Sequence, residues 1–267
     1  FVAATVNGAL GYGFSSITMP VALLFYTNRI LNPAMVLVEL VLNSYVLFLN
    51  RQNIPNIFRR VVPILIGLAM GVAIGSYILS MVQPAWVKFV TYFMLLPLIL
   101  LQAAGIRKPI KAEKTIGVPF GVGIGTLYSV TTISGPPLAL LFNNQGYEKQ
   151  DFRAALGVIR VAEATLTAIA YGIIGFYSVE SMKVMPYIVP SVLLGIPLGV
   201  FLIRWMDPET FRRLCMSFDA VVVGFGLSRV LVELKLASTF TTYSILSIVV
   251  LLNAFLLYRY FQSRAAP

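Results

Sequence analysis

Histidine is absent from the 267 residues, and cysteine occurs once, at Cys215. The commonest metal ligand and proton shuttle is therefore missing. A lone cysteine supports neither a disulfide framework nor a thiolate metal site. HExxH cannot be written without histidine, and no GxxxxGKS/T stretch is present, so ATP hydrolysis by this chain is not expected. No metal, no cofactor and no enzymatic activity are expected. Charge is also scarce. Only 11% of residues are Asp, Glu, Lys or Arg, against about 25% in a soluble domain.

Apolar sequence fills the space left by charge. Hydrophobic residues make up 58% of the chain and the mean hydropathy is +0.87. At roughly 20 apolar residues per span, this length holds about seven to nine of them. The formal net charge of +10 would suggest nucleic acid in a soluble protein. Here the basic residues sit in short connectors, so membrane lipid headgroups are the expected partners and nucleic acid is not. The chain opens on Phe1 rather than methionine, and residues upstream of it are expected.

Proline, glycine and basic clusters divide the sequence. A broken apolar element over 1–26 precedes a span near Pro33–Asn50, the connector RQNIPNIFRR and a span near Val61–Val82. The turn Gln83-Pro84, a span near Ala85–Ala104 and the basic connector GIRKPIKAEK follow. A second broken element, Thr115–Gln145, leads through GYEKQD into Phe152–Phe176. Further spans are expected near Val184–Ile203, Phe211–Leu227 and Phe240–Tyr258. All are apolar nearly all round, as helices in lipid are.

The two broken elements echo each other. Set 117 positions apart, NGALGYGFSSITMPVALLF (Asn7–Phe25) places Pro20, Ala22, Leu23, Leu24 and Phe25 on Pro137, Ala139, Leu140, Leu141 and Phe142 of VGIGTLYSVTTISGPPLALLF (Val122–Phe142). Gly8 falls on Gly125. With small gaps Val62-Pro63 matches Val189-Pro190, Gly71-Val72 matches Gly199-Val200, and Pro84 matches Pro208. If the second broken element crosses the membrane once, basic residues divide about 9 to 10 between the two faces. If it dips in and returns, they divide about 14 to 5, with Arg160 left inside. The biased split favours the re-entrant arrangement. The expected fold is an all-α polytopic membrane protein of two inverted repeats, 1–104 and 115–231. Each is a broken, re-entrant helix hairpin plus three transmembrane spans, and one additional C-terminal span covers 239–261. Such repeats are the usual build of a secondary transporter.

The breaks carry the polar chemistry. Thr131, Thr132 and Ser134 precede Gly135-Pro136-Pro137, and Ser15, Ser16 and Thr18 precede Pro20. Proline in the first turn with a hydroxyl before it marks a helix start. A half-helix is therefore expected at each break, its positive dipole end turned inward. Two such ends, facing each other, with hydroxyl donors and close backbone approach at Gly11, Gly13 and Gly135, would receive a small oxyanion. The competing reading is that the small residues permit tight helix packing and the prolines only kink.

Charges inside spans are the other signal, since each costs about 2.5–3.5 kcal/mol on insertion scales. Arg160 and Glu163 lie three apart in Phe152–Phe176 and share a helix face. Aligning Ala34 with Ala155 sets Glu39 opposite Arg160. Arg160 is read either as the cationic anchor of the substrate, with Glu39 or Glu163 as counter-charge or coupling group, or as half of a structural ion pair between helices. Asn43, one turn beyond Glu39, is a candidate polar liner; Tyr12 and Tyr128 are candidate liners that packing explains equally well. Gly67, Gly71, Gly75, Gly195 and Gly199 read as close helix packing. Asp219 and Arg229 receive no role. The residues thus describe a membrane carrier for a small anion. An anion channel with the same facing hairpins is the alternative, and an intramembrane enzyme or scaffold would need a catalytic cluster that the sequence does not offer.

NGALGYGFSSITMPVALLF is similar to the opening glycine-rich block of the sulfite exporter TauE/SafE family. YSVTTISGPPLALLF with RAALGVIRVAEA resembles that family's second-half block, and the likeness runs in order over nearly the whole chain. Typical members have a richer glycine run where this chain has Tyr12, Phe14, Ser15 and Ser16, and SGGG where it has SGPP. The resemblance implies a secondary transporter of the bacterial inner membrane for sulfur-containing anions: sulfite, or sulfonates such as sulfoacetate and isethionate. The charge split puts the C-terminus in the cytoplasm. A negative-inside potential drives anions outward by about 2.3 kcal/mol per charge per 100 mV. Export then needs no coupling, whereas import calls for a proton or sodium partner.

Overall fold

The structure, a computed structural model, describes residues 1–10, 13–49, 51–104, 113–144, 149–202, 205 and 208–265. Gly11, Tyr12, most of GIRKPIKAEK and the first half of GYEKQD lie outside the described residues, as does the side chain of Cys215. Every described element is a helix: α1 (Val2–Leu10), α2 (Phe14–Ala22), α3 (Asn28–Leu49), a 3-10 turn (Arg51–Asn53), α4 (Ile54–Met81), α5 (Pro84–Ala103), α6 (Glu113–Thr131), α7 (Gly135–Asn144), α8 (Lys149–Ile174), α9 (Val179–Leu202), α10 (Pro208–Glu233) and α11 (Thr239–Ala265). Proline opens α5 and α10 and stands second in α4 and α7. There its fixed φ suits the helix and its missing N–H costs nothing.

Among the described residues, stretches of α3, α4, α5, α8, α9 and α11 are long and apolar enough to cross a membrane. The protein is a multi-pass membrane protein. One expectation is corrected. RQNIPNIFRR is not a free connector: after Asn53 the chain is already helical, with Pro55 in the first turn of α4. The helix over the expected span Phe211–Leu227 forms as α10.

The chain gathers into two compact units. Unit 2 comprises Asn28–Val82 and Arg107–Val192, and unit 1 comprises Phe1–Thr27, Gln83–Ile106 and Leu193–Pro267. In unit 2, α4 and α6 run side by side in the same direction. A Cβ on Gly67 would meet the Val118 O and Val122 N, one on Gly71 the Val122 O, and one on Gly121 or Gly125 the Ile64 O or Leu68 O. Bare glycines thus let the two backbones touch, the packing expected of small residues in membranes. α8 begins beside the start of α4, where Asn53 Nδ2 donates to Asp151 Oδ1 at 3.1 Å. The Phe142 ring at the end of α7 meets Phe152 edge-on. Arg29 closes the other end of α4 by donating to the carbonyls of Leu79, Ser80 and Val82 at 2.7–3.0 Å.

In unit 1, a Cβ on Gly8 would meet the Ile196 O, and one on Gly195 the Phe1 O and Thr5 N. These are the contacts of Gly125 and Gly67 shifted by the repeat offsets. Gly8, Phe1 and Thr5 stand 117 before Gly125, Val118 and Val122, and Gly195 and Ile196 stand 128 after Gly67 and Leu68. α10 packs against α5, α11, α2 and α1. A Cβ on Gly226 would enter the Tyr92 ring, whose hydroxyl donates to Pro20 O at 3.0 Å.

The first break lies earlier than its prolines suggest. Gly13 has φ 105°, a left-handed value that favours glycine, and α2 starts at Phe14. Pro20 is therefore the seventh residue of α2 rather than part of its first turn. The glycine takes the turn before the hydroxyl and proline signals are reached. In the second copy no glycine occupies that place, and α7 starts at Gly135 as its prolines require.

Candidate functional site

α6 ends at Thr131, and its last carbonyls are satisfied by neighbours. Asn32 Nδ2 donates to Val130 O at 2.7 Å and Asn28 Nδ2 to the same oxygen at 3.3 Å. Tyr171 donates from its hydroxyl to Ser129 O. Thr132 then takes φ 58°, an outlier for a β-branched residue. Its hydroxyl donates to Thr131 O, and Thr131 Oγ1 accepts from Ile133 N at 3.1 Å. Strain of about 1–3 kcal/mol is held at such residues by their surroundings, here by side chains of α3 and α8. α7 follows with its dipole start at Gly135. Pro136 and Pro137 bring no N–H, and the Leu138 N–H is already given to Ser134 O at 3.1 Å. The start of α7 therefore offers a partial positive charge and the Gly135 amide, not a fan of donors.

Charged side chains of α3 and α8 meet a hydroxyl of α6 near this break. Glu39 of α3 is fully buried and Arg160 of α8 is 3% exposed. Arg160 Nη2 donates to Glu39 Oε1 at 3.2 Å, and the Tyr128 hydroxyl of α6 donates to Glu39 Oε2 at 2.9 Å. Glu163, one turn along α8 and also buried, accepts from Ser134 Oγ at 2.6 Å through Oε2. Several buried atoms have no hydrogen-bond partner: Arg160 Nε and Nη1, Glu163 Oε1, Asn43 Nδ2 and Thr167 Oγ1. Leaving such groups unmade costs about 1–3 kcal/mol each and more for a charged one. Unpartnered acceptors lie in unit 2 as well, at Asn28 Oδ1 and Asn32 Oδ1. The two Arg160 nitrogens are the charged donors, and they suit a ligand that accepts hydrogen bonds and carries negative charge.

Unit 2 thus contains Glu39, Asn43, Thr131, Thr132, Ser134, Gly135, Arg160 and Glu163, all buried. Gly13, Ser15 and Ser16 are buried in unit 1. The interhelical ion pair has Glu39, not Glu163, as its carboxylate. Tyr128, equally readable as packing, is a hydrogen-bond donor to that carboxylate. Asn28, Asn32, Tyr171 and Thr167 were not singled out from the sequence. Asparagines four apart in an apolar helix were a usable signal, because a polar amide in lipid needs a partner. Among the described residues no three His, Cys, Asp or Glu side chains gather as a metal ion would require.

A family model described as Sulfite exporter TauE/SafE matches residues 1–227. Comparison with curated proteins and with solved structures returns no match.

Proposed function

The chain belongs to the sulfite exporter TauE/SafE family, and from that premise we propose that unit 2 binds a small sulfur oxyanion at the unpaired N–H groups of Arg160. The protein then carries that anion across a bacterial inner membrane by alternating access. Sulfite is the first candidate, and a two-carbon sulfonate such as sulfoacetate or isethionate the second. One observation carries the reading: a buried guanidinium is held at Nη2 by Glu39 while Nε and Nη1 have no partner. A purely structural ion pair gains most when all of its donors are satisfied. Here donors remain for an oxyanion, to which charged hydrogen bonds contribute about 1.5–3 kcal/mol each. Glu39 holds the guanidinium in place, and Glu163, tied by Ser134 to the start of α7, is the second counter-charge. Thr131, Thr132 and Asn43 are assigned supporting polar contacts.

We further infer that the chain is built of two inverted repeats with re-entrant hairpins. The equivalent glycine contacts of α1 with α9 and of α6 with α4 support the repeat. The parallel run of α6 with α4, and the start of α8 beside Asn53, support a hairpin that enters and leaves at one end. With about 14 of 19 connector charges on that end, it is the cytoplasmic one, and the C-terminus is there too. Export follows the membrane potential.

Reconstituted proteoliposomes loaded with unlabelled sulfite and given radiolabelled sulfite test the function. Saturable counterflow by the wild type, lost in Arg160→Ala, is expected. Channel-sized currents without counterflow would assign a pore, and no sulfite movement at all would remove the sulfur-anion assignment.

A further inference from the structure

Outside this site, among the described residues, one buried ionisable side chain has no hydrogen-bond partner. Asp219 of α10 in unit 1 is fully buried, and neither of its carboxylate oxygens has a hydrogen-bond partner. It stands seven residues before Gly226, two turns of helix, and so shares the face on which Gly226 meets the Tyr92 ring of α5. That face continues through Val223 and Val230, both buried. The α11 side of α10 is a different one. There Asn253 Nδ2 donates to Ser217 O at 2.8 Å, and Ser228 Oγ donates to Thr242 O at 2.9 Å.

Among the described residues the surroundings offer Asp219 no counter-charge. α1 and α2 carry no titratable side chain. α5 carries Lys88 and Tyr92, and Lys88 answers electrostatically to Glu233 and Arg229 at the far end of α10. The Tyr92 hydroxyl is committed to Pro20 O. α11 carries Tyr243, Tyr258, Arg259, Tyr260 and Arg264, and the Tyr260 ring lies 4.3 Å from the Arg213 guanidinium. On α10 itself Glu209, Arg212, Arg213, Arg229 and Glu233 lie toward the two ends, and Cys215, whose side chain lies outside the described residues, stands one turn before Asp219. An isolated ionised carboxylate in apolar surroundings is too costly to persist, and a proton is the smallest ligand that relieves it. Intramembrane acids are rare and mark proton relays where they occur. Glu39 accepts from Arg160 and Tyr128, and Glu163 accepts from Ser134 through one of its two oxygens; among the described residues Asp219 is the buried acid with neither oxygen partnered.

We propose that Asp219 is a proton-binding site of the transport cycle, loaded and unloaded as the protein moves its anion, so that anion movement responds to a pH gradient. The proposal rests on the transport reading above and adds the coupling ion to it. Purified wild type and Asp219→Asn are reconstituted, and sulfite is followed in two modes: counterflow at equal pH, and accumulation under an imposed pH gradient. The wild type is expected to show both, and Asp219→Asn to keep counterflow while losing most of the gradient response. A gradient response in Asp219→Asn equal to that of the wild type overturns the proposal. So does a wild type with counterflow and no gradient response. Absence of wild-type counterflow sinks the sulfite reading instead. Infrared difference spectra then decide the proton question without any substrate. A carboxylic-acid carbonyl band that is lost on raising the pH, and is missing in Asp219→Asn, supports the site. A band that never changes with pH makes Asp219 a permanently protonated packing group. Asp219→Glu, which keeps the acid, is expected to retain the gradient response and controls for a folding defect in the asparagine variant.

Discussion

Replacing Arg160 by alanine takes the guanidinium away from Glu39, which stays fully buried and keeps the Tyr128 hydroxyl among its partners. Removing one member of a buried pair costs about 3–5 kcal/mol, because the other charge stays uncompensated. At about 2–4 °C per kcal/mol for a chain of this size, the melting temperature should fall by about 6–20 °C. The double variant Arg160→Met/Glu39→Gln removes both charges and keeps an acceptor for Tyr128. Its stability should return to within about 1–2 kcal/mol of the wild type, since an apolar or neutral replacement of a whole buried pair is often tolerated. Transport should not return with it. Losing charged hydrogen bonds to the oxyanion, at about 1.5–3 kcal/mol, weakens sulfite binding roughly 10- to 100-fold. Thermal unfolding in nanodiscs reads the first quantity and sulfite counterflow the second. A double variant that melts like the wild type and also transports sulfite with wild-type affinity would refute the reasoning: Arg160 would then be structural and nothing more.

Three other perturbations separate packing from chemistry. Gly71→Ala drives a methyl into the Val122 carbonyl and should cost about 1–3 kcal/mol or more, whereas Gly123, with nothing within 4 Å of its Cβ position, should accept alanine with a gain of roughly 0.5–1 kcal/mol; melting curves of the two decide. Ser134→Ala takes the 2.6 Å donor from Glu163 and should lower stability by about 1–3 kcal/mol, most of it recovered when Glu163→Leu is added, because removing both partners avoids the unsatisfied group; a double variant no better than the single would contradict this. Arg29→Ala releases three carbonyls at the end of α4 and should cost about 2–3 kcal/mol in unfolding measurements, its part exposure screening the rest.

Hydropathy located most of the helices, because an apolar run with proline or charge at its ends is a local property. The span positions near Val61–Val82, Ala85–Ala104 and Phe240–Tyr258 agree with α4, α5 and α11 to within several residues at each end. The second break was legible as well: hydroxyl, glycine and two prolines specify a helix start by themselves. The first break was not, since the left-handed turn at Gly13 depends on one glycine among several and competes with a proline seven residues later. The Arg160 pairing with Glu39 could be suggested by the repeat, but which donors remain free could not. That depends on Tyr128 reaching one carboxylate oxygen and Ser134 reaching the other acid. Asp219 was visible as an acid in an apolar run; its lack of any partner is a property of four packed helices and has no local signature.

The central claim is that the free N–H groups of Arg160 hold the transported oxyanion. A structure of the protein in nanodiscs with selenite, the heavier pyramidal analogue of sulfite, tests it most directly. The account predicts selenite density within hydrogen-bond distance of Arg160 Nε or Nη1, with the Glu39 contact retained. Selenite bound elsewhere, with those two nitrogens still unpartnered, would contradict it.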